Sequence, residues 1–347
     1  MQSLDDMDRR ETFNACMMME PADRVPVFLF DLSLGMDVLD IPTADVFPGG
    51  RFNGKLGGKC ILALQEYLGQ DAVIGTYRSI DVAAFGGEMA FPERGIPYIK
   101  RSPFKDAYDL LKYDAADIAD HMQDSADSFC TIRETRPDLG LLMNIPAAMS
   151  TAMVLRGLEN FLMDLSMDPG YSHELISFAA DVSRISVDVM SQRVDLDAVL
   201  LTAAYDNLDM VGQDMLREFS FPWLKMSEKH IHGLGIPIMF HPHGGLTNDI
   251  GSEMILDEMI GMGFDCLYYG ETIDPKIMLA HAQGKCSLCG GIDTFTTIYL
   301  GPDERVRDDV SRYLKHFEGN YIFSPSCSVD RKLSLPRLKI MMDTISQ

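Results

Sequence analysis

Short apolar runs recur along this chain and alternate with longer amphipathic stretches, and that alternation limits the fold more than any other feature. Eight runs read as strands: residues 25–30, 72–76, 140–145, 197–201, 236–241, 266–269, 285–289 and 321–324. The segments between them are long enough for helices. Strand and helix in turn give repeated βα units and a parallel sheet. Eight such units close a (β/α)8 TIM barrel, and the chain is expected to be a single α/β domain over residues 1–347 with an N-terminal extension and loop excursions. Residues 215–234 carry Leu216, Phe219, Trp223 and Met226 near a 3.6 period and are expected to be helical. Residues 304–316 open with acids and end with Lys315 and His316, as suits a helix dipole. The Gly-rich segment 43–69 is expected to be an excursion over the barrel mouth.

Of the 347 residues, 46% are hydrophobic, enough for a large core. The formal charge of -22 argues against nucleic acid and against an anionic membrane surface, since both would need clustered Lys and Arg. The first ten residues are acidic and polar, so no secretory signal is expected. The apolar stretch 145–155 is broken by Ser150 and Thr151 and is too short to span a bilayer. Seven scattered cysteines do not form a disulfide framework, so a reducing cytoplasm is expected.

The run Ile236-Pro-Ile-Met-Phe-His241-Pro-His243-Gly-Gly ends in two imidazoles spaced i, i+2. Side chains at that spacing share a face of a strand. The last strand ends in Ser324-Pro-Ser-Cys327. If these strand ends meet, His241, His243 and Cys327 form a three-ligand zinc site with an open fourth position, the arrangement of a catalytic zinc. The alternative is a pair of buried histidines satisfied by backbone carbonyls. Cys286 and Cys289 imitate a CxxC motif, but i and i+3 lie on opposite faces of a strand, so they read as core thiols. Asp206, Glu271 and Asp293 also follow strands. Each could hold a substrate, orient a ligand or donate a proton; each could equally be a cap or turn residue. His230, His232, His281 and His316 are expected on solvated helical faces.

Several segments in this order resemble the uroporphyrinogen decarboxylase superfamily, and within it the zinc-dependent, corrinoid-linked methyltransferases. They are Arg9-Arg10-Glu-Thr-Phe-Asn-Ala, Glu20-Pro-Ala-Asp-Arg24-Val-Pro-Val, Leu155-Arg-Gly-Leu-Glu-Asn-Phe-Leu-Met-Asp-Leu with Asp168-Pro169, Arg217-Glu-Phe-Ser-Phe-Pro222, Gly290-Gly-Ile-Asp293-Thr and Pro-Ser-Cys327. The resemblance implies a TIM barrel, a Zn2+ ion, and a corrinoid (cobalamin) carried by a partner protein.

Two departures narrow what the resemblance implies. The decarboxylases carry arginines after the first strand to grip a tetrapyrrole's carboxylates, whereas this chain reads Phe30-Asp-Leu-Ser-Leu-Gly-Met-Asp. A polyanionic substrate would be repelled there. The coenzyme M methyltransferases use His-x-Cys and a later Cys, and here His243 stands in place of the middle cysteine. Zinc held by two neutral imidazoles and one thiolate keeps more positive charge than zinc held by two thiolates. It is the stronger Lewis acid and the poorer activator of a thiol. The expected function is methyl transfer between a small substrate and a corrinoid protein, with O-demethylation of a methoxylated aromatic onto cob(I)alamin preferred. The alternatives are transfer from methylcobalamin to a thiol acceptor, and a metal-free decarboxylase or ligand-binding barrel.

Overall fold

The computed structural model describes residues 7–77, 81–244, 252–270, 274–317 and 321–346, without the side chains of 107 and 252–254. The strands are β1 (Phe28–Leu29), β2 (Ala72–Ile74), β3 (Glu88–Ala90), β4 (Tyr98–Arg101), β5 (Gly140–Pro146), β6 (Ala198–Ala203), β7 (Ile238–Pro242), β8 (Cys266–Tyr268), β9 (Ser287–Gly290) and β10 (Tyr321–Phe323). All but β3 and β4 form one parallel sheet in the order β1-β2-β5-β6-β7-β8-β9-β10. A parallel bridge from Val27 to Phe323 closes it into a barrel. The expected eight-stranded barrel is therefore the fold, and each of its strands overlaps an apolar run picked out from the sequence.

The barrel is filled in layers. Eight parallel strands stagger by about one residue per strand, so alternate strands place four side chains at each level. Carrying the strand register round the sheet puts Phe28, Leu142, Met239 and Cys289 at one level. Ile74, Leu200, Tyr268 and Ser324 lie above them. The Ser324 hydroxyl donates across this level to the Tyr268 hydroxyl at 3.0 Å. At the mouth stand Phe30, Asn144, His241 and Gly291, and the rings of Phe30 and His241 face each other edge-on at 6.3 Å. The lower levels form a small apolar core distinct from the larger one between sheet and helices.

The N-terminal extension closes the other end. Asp8 caps the helix Arg9–Met17 in a reciprocal capping box with Glu11, and Phe13, Cys16 and Met17 plug the barrel floor. Asp197, buried at the foot of β6, holds this end together. It accepts from Arg10 Nε at 2.6 Å, Asn14 Nδ2 at 2.9 Å, an Arg133 guanidinium nitrogen at 2.6 Å and the Leu141 amide at 2.9 Å.

Segment 43–69 departs from expectation. It is no excursion over the mouth, for most of it is the crossover helix Gly54–Leu68 between β1 and β2. Its glycines let it approach the helix Ile118–Thr135: a Cβ on Gly54 would lie 2.0 Å from the Asp124 carbonyl oxygen. A separate antiparallel pair, β3 with β4, stands outside the barrel sheet. Within 215–234 a π-helical turn, Leu216–Ser220, precedes the helix Phe221–Gly233. The wider turn shifts the 3.6 register, so Leu216 and Phe219 are buried while Met226 is exposed. The helix expected at 304–316 is present as Asp303–Leu314.

Three of the four histidines expected on solvated faces are half-buried and paired. His230 meets Asp188 at 2.7 Å, His281 meets Asp257 at 2.9 Å, and His232 bridges Glu228 at 2.7 Å and Asp265 at 2.8 Å. Most of these carboxylates come from other elements, so helical position alone did not reveal them. His316 is exposed.

Candidate metal centre

His241 occupies the mouth layer of the barrel and is 1% exposed. Its Nδ1 lies 2.8 Å from the Tyr268 carbonyl oxygen. A carbonyl can only accept, so Nδ1 carries the proton and Nε2 keeps its lone pair. Tyr268 also stacks on the imidazole, with centroids 4.1 Å apart and planes 20° from parallel. Burial, aided by neighbouring His243 and opposed by the carbonyl hydrogen bond, pushes the His241 pKa down to about 3. The imidazole is therefore neutral at physiological pH, as a metal ligand must be. Its Nε2 is buried and has no hydrogen-bond partner among the described residues.

Pro242 ends β7, and the His243 amide makes one further bond to the Ala203 carbonyl at 3.2 Å. Gly244, at φ +82°, then turns the chain away. These two steps place the His243 ring 4.5 Å from that of His241, centroid to centroid. Cys327 arrives from the turn after β10. Its amide donates to Thr294 Oγ1 at 3.2 Å, and the Thr294 amide donates to Ser326 Oγ at 3.1 Å. The Cys327 Sγ stands 4.0 Å from His243 Nε2. One donor atom from each of His241, His243 and Cys327 lies within 4.8 Å of the others. Usual zinc bond lengths at a tetrahedral angle put nitrogen and sulfur about 3.6 Å apart, so the His243–Cys327 pair is a few tenths of an ångström too wide and closing the whole triad around an ion takes movements of up to about an ångström. The donor set, two imidazoles and a thiol with one buried lone pair unmatched, fits zinc.

The three candidate acids sit differently. Asp206 is 1% exposed. Its Oδ1 accepts from Ser150 Oγ at 2.5 Å and its Oδ2 from Ser220 Oγ at 2.7 Å. Burial raises its pKa against the effect of both serines. Asp293 caps the π-helical turn Thr294–Tyr299 by accepting from the Phe295 and Thr296 amides at 2.7 and 2.8 Å. The turn it caps begins with the threonine that holds Cys327. Glu271 lies outside the described residues. Among the described residues, the metal-ligating cluster joins His241, His243 and Cys327 and none of the acids.

Cys286 and Cys289 are both buried and divide between the outer and the barrel core. Burial pushes the Cys286 thiol up to about 11 and the Cys289 thiol well above its ordinary value, as expected of inert core thiols. The acids after β1 are engaged rather than displayed. Asp31 is buried and accepts from the Ser33 and Leu34 amides at 2.9 and 2.7 Å, while Arg331 reaches Asp37 with Nε at 2.8 Å.

Two residues at or just below the mouth escaped the sequence reading. Tyr268 fixes the His241 tautomer through its carbonyl, and its hydroxyl donates to the Pro325 carbonyl at 2.6 Å, tying β8 to the cysteine turn. Asn144 was legible as a polar side chain within the otherwise apolar run 140–145.

Residues 8–347 match the family model described as uroporphyrinogen decarboxylase (URO-D). Among solved structures, a methyltransferase from Methanosarcina mazei superposes with a TM-score of 0.84 over 98% of this chain and 99% of that one, at 19% sequence identity. A likeness at that identity concerns the fold. No curated protein sequence matches significantly. No helix among the described residues is long and apolar enough to cross a membrane.

Proposed function

As this chain belongs to the uroporphyrinogen decarboxylase family, we propose that it is a zinc-dependent methyltransferase moving a methyl group between a small substrate and a corrinoid on a partner protein. One observation carries the reading: buried His241 keeps an unmatched Nε2, and one donor atom from each of His241, His243 and Cys327 lies within 4.8 Å of the others. The preferred direction is O-demethylation of a methoxylated aromatic. When bound, zinc supplies a Lewis acid for the leaving oxygen and the corrinoid supplies the methyl acceptor.

The chain's own residues prepare that chemistry. Tyr268 holds His241 in one tautomer and one orientation, as a hydrogen bond to a ligand's second nitrogen does in zinc sites. Phe30 and Tyr268 wall the imidazole against water. Thr294 and Ser326 fix the cysteine turn, and Asp293 fixes Thr294. Asp206 acts in this reading by clamping the turn after β6 to Ser150 and Ser220, while Glu271 is the acid left to meet the substrate. Two neutral imidazoles and a single thiolate favour a strong Lewis acid, which supports an oxygen leaving group over a thiol nucleophile.

The test supplies cob(I)alamin to the zinc-loaded protein together with aryl methyl ethers, and follows methylcobalamin by its absorbance. Formation of methylcobalamin that requires Cys327 is expected. Methyl transfer from methylcobalamin to a thiol, with none from any ether, would reverse the direction.

A further inference from the structure

Among the described residues, the mouth layer holds two buried polar atoms without partners, and the proposed metal centre accounts for one of them. His241 Nε2 is the first. The second is Asn144 Oδ1, which has no hydrogen-bond partner among the described residues. Asn144 is 6% exposed. Its direction follows from strand alternation. Leu142, two residues earlier, belongs to the barrel core, while Met143 and Ile145 face the helices. Asn144 therefore points into the barrel, at the level of Phe30 and His241. The fourth position of that level is Gly291, which contributes no side chain. A Cβ there would lie 2.3 Å from the Ser324 carbonyl oxygen, so close packing against β10 requires glycine at this position.

An unpaired amide oxygen in such a place costs the folded chain stability. Thr202, on the neighbouring strand, does not relieve it, since its hydroxyl turns to the Ile145 carbonyl at 3.3 Å. We propose that Asn144 is a specificity-determining residue, whose carboxamide oxygen accepts a hydrogen bond from an uncharged O–H or N–H group on the substrate bound beside His241. This rests on reading the barrel mouth as the substrate site, and it holds for either direction of methyl transfer. A site built to pair with a substrate donor discriminates strongly against the analogue that lacks it, because the site's own polar atom is then left buried and unpaired. An aromatic carboxylate offers no such donor, and its charge would face an acceptor.

The experiment measures binding, by calorimetry, to the zinc-loaded full chain and to Asn144→Ala. One probe set is methoxybenzene with the 2-, 3- and 4-methoxyphenols, which differ from it by one hydroxyl. The other is ethanethiol with 2-mercaptoethanol. At least one hydroxylated probe is expected to bind about ten- to a hundredfold more tightly than its parent, with the advantage lost in Asn144→Ala and kept in Asn144→Asp, which retains an acceptor. Thermal melting checks that each variant is folded. If only the thiol pair shows an Asn144-dependent advantage, the inference stands and the aryl-ether reading fails. Advantages that survive in Asn144→Ala, or the absence of any advantage in the wild type, would overturn the inference whichever substrate class is right.

Discussion

Asp206 offers a test that separates a clamp from a proton donor. Replacing it with Ala leaves the buried Ser150 and Ser220 hydroxyls without their acceptor. Each orphaned hydroxyl costs about 1–3 kcal/mol. Ser150 Oγ still accepts from the Tyr205 amide at 3.0 Å, which softens its loss. Asp206→Ala is therefore expected to cost about 2–4 kcal/mol. Asp206→Asn keeps one acceptor, and a serine hydroxyl can rotate to accept from the new amide, so about 1 kcal/mol is expected. The pH dependence has a definite sign. Burial raises the folded carboxyl's pKa above the ordinary 3.8. The stability linked to its proton is intact below that value and is lost as pH rises through the raised one. The Asn variant, which never ionises, should thus compare better with wild type at neutral pH than in acid. Urea unfolding followed by the single tryptophan, Trp223, gives the stabilities, and the corrinoid assay gives the rates. Asp206→Asn should keep zinc and lose less than about tenfold in rate. A loss of about a hundredfold or more at unchanged stability is the mark of an acid–base group, and it would refute the clamp.

Two further outcomes follow from charges away from the mouth. Asp197→Ala removes the acceptor shared by Arg10 and Arg133 at the barrel floor, and should cost about 3 kcal/mol in urea unfolding; adding Arg133→Met should recover part of that loss. His232 is pulled down by burial, but its hydrogen bonds to Asp265 and Glu228 outweigh this and leave its pKa raised above 6.5. Its contribution should be full below 6.5 and fade as pH rises through the raised value, so the urea midpoint should fall less with alkalinity in His232→Gln than in wild type.

The barrel was legible because parallel strands covered on both faces leave unmistakable apolar runs, and the convergence of His241, His243 and Cys327 was legible because they stand at or just beyond the ends of two of those runs. What the sequence hid depends on contacts between distant segments. The glycines of 54–58 looked like loop residues, yet they serve a close helix crossing that only the position of Asp124 explains. Asp206 looked like an acid at the mouth, and its burial depends on Ser150 and Ser220, brought in from two other elements. Asn144 could be placed beside His241 only once the stagger of the strands was known. The histidine–carboxylate pairs were hidden for the same reason as the Asp206 clamp: most of the partners come from other parts of the chain.

The most direct measurement is the metal content of the purified chain and of Cys327→Ala and His241→Ala, read by elemental analysis beside thermal melting. About one zinc per wild-type chain is expected, with the ion lost in both variants and the wild type melting lower after chelation. A folded wild-type chain that takes up no zinc when offered it, or variants that hold zinc as tightly as the wild type, would contradict the convergence of His241, His243 and Cys327 on a metal ion.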